Sequence, residues 1–381
     1  MKILLVTTTF DTVTHGPAKF AQFVWQINNL FLEHEVRILT EDSNQKENRK
    51  IYEMSTYFLP KPFGILWPYL DNFRYFKKIK EIKKVYKFDV LLFNNAILGW
   101  WSAWRKNSEI SVVGMLNDDD YLSTRLSNFD GRKKWFIDYH RKPLEYLAAK
   151  ALDKVITNSN YLHREVIQSY FCSAEKVFRL YKSVDILKYE FRGKRKINLN
   201  NIISILFVKS DYPRGGLALL LKALSILSPL KFVVTVMGPL EKERQIISNF
   251  FSSSPNVQLD FRGPCSQDEV SNAMQKKDIL CVPSHKEGLG VVNMEGLSIG
   301  IPVVSTDVGG IPEVLDNGKN GWLAQPNNPE ELSKAIYDCM IQEDERYIKS
   351  KNGHAFVHRH FDYLQMLKEL LLILQPVPGN I

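Results

Sequence analysis

The chain has 381 residues, 45% of them hydrophobic and 24% charged, with 20 glycines and 17 prolines. That is the make-up of a globular protein of two or three domains, and it excludes a collagen-like, disordered or coiled-coil chain. Net charge is +8 but unevenly spread: residues 1–200 hold 33 Lys+Arg against 22 Asp+Glu, and residues 201–381 hold 17 against 20. Two electrostatically different halves imply two domains. The basic half can face nucleic acid, anionic lipid or a phosphorylated substrate. No apolar run approaches the ~18 residues that cross a bilayer. Residues 1–10 are too short in apolar content for a signal peptide and read as a first buried strand. Cys172, Cys265, Cys281 and Cys339 lack CxxC spacing, which argues against zinc or a disulfide framework and makes the cytoplasm the expected location.

In chain order, residues 3–6 read as a buried strand. A helix follows Gly16-Pro17, with Phe20, Phe23, Val24, Ile27 and Leu30 along one face. Strands are expected at 35–39, 90–93, 112–116 and 154–157, with helical stretches between. Residues 73–87 carry seven lysines and arginines, and Phe76, Ile79, Ile82 or Lys83, and Tyr86 share a face; this is the composition of an ordinary surface helix packed on the sheet or of an interfacial helix on anionic lipid. The apolar segment 62–68 before it can shield a lipid acceptor. Residues 189–201, with Arg192, Gly193, Lys194, Arg195 and Lys196, read as a solvated linker. The second half repeats the pattern, with strands at 203–208, 232–237, 257–261, 279–282 and 301–305 and helices at 217–227 and 291–297. Alternating strand–helix units imply parallel sheets covered on both faces. The expected architecture is α/β, two doubly wound Rossmann-like domains facing a central cleft. They are expected at 1–188 and 197–360, with a very apolar last helix in 361–381 packing back on the first.

Ligands of parallel sheets bind at the carboxyl ends of strands, in loops that lead into helices. The loop Pro283-Ser284-His285-Lys286-Glu287-Gly288-Leu289-Gly290 precedes the helix that starts at Val291. Its glycines allow close backbone approach, and the helix start offers unpaired amides to a diphosphate. Glu287 and Glu295 can reach one pocket as acceptors for neutral hydroxyls such as those of sugars. A second glycine turn, Gly309-Gly310, follows.

Residues 283–315 closely resemble the signature of the retaining glycosyltransferases of family 4, which have the GT-B fold; Glu287 and Glu295 have the separation of that family's paired glutamates. Residues 153–159, 205–208, 256–263, 320–323 and 361–363 extend the likeness almost end to end. The resemblance implies a hexose transferase that takes its sugar from a nucleotide sugar, expected to be a UDP-sugar. No metal and no cofactor is implied. Carried over, Glu287 would contact donor-sugar hydroxyls. Gly288, Leu289 and Gly290, with Val291 at the helix start, would offer amides to the sugar and diphosphate, and Glu295 would bind the ribose. Arg262 would lie at the base, and Gly16 would approach the diphosphate. The family's two cations fall on Ser210 and Gly215, but Lys209 and Arg214 stand one residue before each, and Arg214 is the preferred neutraliser. Asn117 and Asp118, where relatives often have histidine, would line the acceptor side. His15 and His285 flank these loops. The expected acceptor is a polysaccharide or lipid-linked saccharide of the cell envelope, with peripheral contact to anionic membrane on the inner face of the plasma membrane. The alternatives are a GDP-sugar transferase, a nucleotide-sugar epimerase of the same fold, and a non-catalytic nucleotide-binding scaffold. Nucleic acid is disfavoured, because the aromatics are not interleaved on strands and the second half is net acidic.

Overall fold

The computed structural model describes residues 1–10, 16–41, 56–58, 68–105, 109–118, 132–184, 191, 193, 195–252 and 254–375. They form two compact units, Met1–Tyr181 with Leu364–Ile381, and Lys182–Tyr363. In the first unit the strands are β1 (Lys2–Thr7), β2 (Glu35–Thr40), β3 (Thr56–Phe58), β4 (Val90–Phe93), β5 (Ser111–Leu116), β6 (Lys154–Thr157) and β7 (Val177–Arg179). All pair in parallel, in the order β3-β2-β1-β4-β5-β6-β7. In the second unit they are β8 (Ile203–Val208), β9 (Phe232–Met237), β10 (Val257–Gly263), β11 (Ile279–Val282), β12 (Val303–Thr306) and β13 (Trp322–Ala324). Their order is β10-β9-β8-β11-β12-β13, again all parallel.

Both are Rossmann-like α/β domains. The central strands are apolar at successive positions because helices cover both faces: neighbours Leu4 and Leu5 are both fully buried, as are Ile205, Leu206 and Phe207. Strand order reverses between β1 and β4 in one sheet and between β8 and β11 in the other. At such a point the loops after two adjacent strands lead away to opposite sides and leave a crevice at the carboxyl edge. The short edge strands β3, β7 and β13 have no buried-run signal of their own. Each is paired by its neighbour's register, as Ile38 with Thr56 and Val304 with Trp322.

The structure decides one open sequence reading and corrects another. The apolar face of the helix Pro68–Val85 is not free to meet lipid: Ile79, Ile82 and the following Tyr86 are buried with Leu4, Val6 and Leu91 in the core. Its periodicity is that of a helix packed on its own sheet. Residues 62–67 lie outside the described residues. The basic segment before β8 is not simply solvated either. The Arg195 guanidinium donates to the carbonyls of Met274 and Lys277, at the carbonyl-rich end of the helix Gln267–Lys276. Arg346, itself buried, donates 3.0 Å to the Arg195 carbonyl, and Phe191 lies against Tyr347 and His354. Isolated side chains with long reach leave no periodic trace.

The last helix, Tyr363–Leu374, belongs to the first unit and buries Met366, Leu367, Leu370, Leu371, Ile373 and Leu374. Lys154, at the start of β6 and 6% exposed, donates 2.6 Å to the carbonyls of Ile373 and Gln375. A buried ammonium thus satisfies the carbonyls that the helix end leaves unpaired. Hydrogen bonds from a charged donor are worth ~1.5–3 kcal/mol each. Lys154→Met should therefore destabilise the protein by ~2–4 kcal/mol in denaturant unfolding and speed amide exchange in residues 363–375 first.

Candidate active site

The crevice of the second unit is built from the loops that leave β8 and β11. Their backbones touch. A Cβ on Gly216 would stand 2.0 Å from the Pro283 carbonyl oxygen, and Gly216 is left-handed at φ 77°. The His285 amide donates 2.9 Å to the Arg214 carbonyl, and Arg214 Nε donates 3.1 Å to that of Lys286. Arg214 is thereby part of the weld between the loops.

The cation that meets the first glutamate is Lys209, whose Nζ is paired with Glu287 Oε2; both side chains are largely shielded from solvent. Its path depends on Gly215, where a Cβ would come within 2.8 Å of both Lys209 Cγ and Phe207 Cζ. The small residue at 215, where the resemblance leads one to expect a cation, is what lets Lys209 cross it. Ser210, at the other, is exposed.

Glu287 is held from behind by the second glycine turn. A Cβ on Gly309 would lie 1.7 Å from the Glu287 carbonyl oxygen, and the Gly310 amide donates to the same oxygen at 3.4 Å. Gly288 and Gly290 are buried, Leu289 is 1% exposed and packs inward, and Val291 is half-buried. Gly290 precedes the helix Val291–Ile299 without a side-chain cap, so the first amides stay available to an anion. One turn in, Glu295 is 7% exposed and accepts 2.9 Å from Gln267 Nε2. Lys209, Glu287, the loop 288–290 and Glu295 thus share one carboxyl edge.

Arg262 stands apart on the edge strand β10, two strands from β8, with a 59% exposed side chain. It is paired at 2.8 Å with Asp260, which also accepts from Thr235. Burial opposes the charge on Asp260, but the hydrogen bonds from Arg262 and Thr235 outweigh it and hold the carboxyl below its ordinary range. His285 is pushed below the usual histidine range by burial, partly offset by a hydrogen bond with Asn327, and so is neutral near pH 7.

The first unit places Asn117 and Asp118 at the end of β5. Asn117 belongs to a chain of amides across the carboxyl edge: Asn94 Nδ2 donates to Thr7 Oγ1 (3.0 Å), Asn117 Nδ2 to the Asn94 carbonyl (2.8 Å) and Asn158 Nδ2 to the Asn117 carbonyl (2.8 Å). Gly16 opens the helix Gly16–Trp25 after β1, whereas His15, Asp119 and Asp120 lie outside the described residues. No group of three or more His, Cys, Asp or Glu able to hold a metal occurs among the described residues.

Sequence reasoning missed Gln267, Asn94 and Asn158. Gln267 was findable from the capping box of Ser266 and Glu269, which fixes it as first residue of its helix. The asparagines follow a simple rule: β4, β5 and β6 are each followed at once by Asn.

This fold with this edge of glycines, amides and carboxylates defines the class of GT-B glycosyltransferases. Residues 189–355 match the family model described as glycosyl transferases group 1, and residues 32–187 that of glycosyltransferase family 4. The chain accordingly belongs with the GT-B glycosyltransferases of the group 1 and family 4 type. It is 35% identical over 151 residues to an uncharacterised glycosyltransferase of Methanocaldococcus jannaschii, a match spanning 40% of this chain and 42% of that protein. A second from the same organism is 22% identical over 337 residues, 84% of this chain and 83% of its own length. The amylovoran biosynthesis glycosyltransferase AmsK of Erwinia amylovora is 24% identical over 215 residues, 54% and 52% of the two chains. Anabaena HepE, solved in complex with UDP-glucose, superposes with a TM-score of 0.73 at 18% identity, covering 98% of this chain and 99% of that one.

The Gly309 contact is the most exacting in the site. Gly309→Ala must displace the Glu287 carbonyl and forces a side chain to φ 56°, and should lower stability by ~2–4 kcal/mol in urea unfolding. Gly318→Ala, equally left-handed at φ 90° but with only 4.0 Å contacts, should cost less than half as much.

Proposed function

We propose that this chain is a retaining, metal-independent glycosyltransferase that moves a hexose from a UDP-sugar to a saccharide or lipid-linked saccharide in cell-envelope glycan synthesis. The observation that carries the reading is the meeting of Lys209 and Glu287 beside an uncapped helix start, one turn from Glu295. In this arrangement the diphosphate lies on the amides of residues 288–291, with Lys209 and Arg214 balancing its charge. Glu287 keeps one oxygen for Lys209 and turns the other to the sugar hydroxyls. Glu295, oriented by Gln267, accepts from the ribose. The bond from the anomeric carbon to the diphosphate oxygen breaks while an acceptor hydroxyl oxygen bonds to that carbon on the same face. The hydroxyl proton passes to the departing phosphate oxygen. The HepE complex with UDP-glucose and the AmsK name support the donor class and a polysaccharide product.

The two cations separate by experiment. Lys209→Ala removes the partner of Glu287 as well as a positive charge, and should lower kcat with UDP-glucose at least ~tenfold, which is ~1.4 kcal/mol of transition-state stabilisation. Arg214→Ala should do the same and also loosen the weld to Lys286, lowering Tm. Full activity in both variants would remove diphosphate neutralisation from this loop.

The glutamates divide the donor between them. A hydrogen bond to a charged group is worth ~1.5–3 kcal/mol, so losing one costs roughly ten- to a hundredfold in affinity. In calorimetry, Glu295→Ala should weaken free UDP by that factor. Glu287→Ala should leave UDP affinity nearly unchanged while cutting transfer severely, because the sugar is no longer held for attack. Equal loss of UDP in both variants would overturn the assignment.

A further inference from the structure

We propose that the outer surface of the helix Pro68–Val85, joined to the short helix Trp100–Trp104, docks the protein on an anionic lipid bilayer. With the inner face of the longer helix spent on the core, the outward residues form a stripe of their own. Leu70, Phe73, Lys77, Lys80, Lys84 and Lys87 recur at intervals of three and four, and all are exposed. The helix has six basic residues and two acids, and each acid is already neutralised: Asp71 by Arg74 at 2.8 Å, Glu81 by Lys78 at 3.1 Å. The stripe therefore presents uncompensated positive charge along its length.

Its apolar end is extended by tryptophan. Trp101 makes edge contacts with Phe73 (5.8 Å between ring centroids), Phe76 (6.5 Å) and Trp104 (5.5 Å), and Trp104 stacks on Trp100. Asn72, fully buried, fixes the two helices as one platform: its Nδ2 donates 2.9 Å to the Ile97 carbonyl and its Oδ1 accepts from the Trp101 amide at 3.4 Å. Leu70 and Trp104 remain half exposed, at 51% and 57%. Cations sit on the aromatic faces, Lys77 over Phe73 at 4.6 Å, Lys80 over Phe76 at 4.9 Å and Arg105 over Trp104 at 4.6 Å.

Exposed tryptophan among lysines suits a headgroup layer, where the ring enters the interface and the ammonium groups meet lipid phosphates. A soluble polyanion would use the charge but leave Leu70 and Trp104 without a role. The short helix Trp100–Trp104 follows β4 and Asn94, so the aromatic end of the platform, with Leu70 and Trp104, comes after the carboxyl end of that strand and the lysine end leads to its amino end.

The test uses the full chain and vesicles of phosphatidylcholine with about 30% phosphatidylglycerol, which present a negative surface to a basic stripe. Sedimentation should show binding at low salt that weakens with added salt. Lys77→Gln, Lys80→Gln, Lys84→Gln and Lys87→Gln combined should lower the partition coefficient about a hundredfold or more. Trp104→Ser should lower it about tenfold and reduce quenching of tryptophan fluorescence by brominated lipid. The same charge change on the second unit, Lys222→Gln, Lys231→Gln, Lys242→Gln and Lys334→Gln, should leave binding unaltered. Unchanged melting temperatures establish that each variant is folded. No binding at low salt, equal loss in the second-unit control, equal binding to pure phosphatidylcholine, or binding of soluble polygalacturonate through these lysines without vesicle binding would each overturn the proposal.

Discussion

The close approach of backbone to backbone at the carboxyl edge of the second sheet is the constraint on which the site rests. Gly216 lies against the Pro283 carbonyl and Gly309 against that of Glu287, each at a distance no side chain permits. These contacts bring the loops after β8, β11 and β12 into one layer. The consequence is chemical as well as geometric. Only when the loops are in register can Lys209 cross Gly215 to Glu287, and only then does the helix start at Gly290 face the same space. A lysine and a glutamate 78 residues apart become neighbours because three loop glycines are small.

The two units use one strand plan for different chemistry. In the second, the carboxyl edge carries ions: Lys209, Glu287, Glu295 and the Arg262–Asp260 pair. In the first it carries neutral amides, with Asn94, Asn117 and Asn158 handing hydrogen bonds along β4, β5 and β6. Asn117 Oδ1 and Asn158 Oδ1 are buried and accept no hydrogen bond from the described residues. Buried acceptors of this kind are costly when left unpaired. The excess positive charge of the first half lies elsewhere, much of it on the outer face of the helix Pro68–Val85.

Burial sets the character of several groups that chemistry alone would leave open. Cys281 and Cys339 are fully buried, and desolvation pushes both thiols far above their ordinary range, so they pack as small apolar residues. Burial also lowers Lys154, yet two carbonyls keep it hydrogen-bonded where it anchors the last helix.

The amino-acid sequence by itself determined the strand-and-helix alternation, the parallel sheets and the position of the glycine loops between them. Those features are local: an apolar run such as Ile203–Val208, a glycine pair such as Gly309-Gly310, a glutamate spacing such as 287 to 295. It could not determine β3, β7 and β13, which borrow their conformation from a neighbour's unpaired backbone. Nor could it say that Ile79 and Ile82 face the core while Phe73 and Lys77 face out, since both stripes have the same helical period. Above all, the order of residues left Lys209 and Arg214 as rival cations, with Arg214 preferred for the diphosphate, and only the tertiary structure decided which of them meets Glu287. That choice turns on whether a side chain can pass over residue 215, a question of volume between segments distant in the chain, to which no local pattern is sensitive.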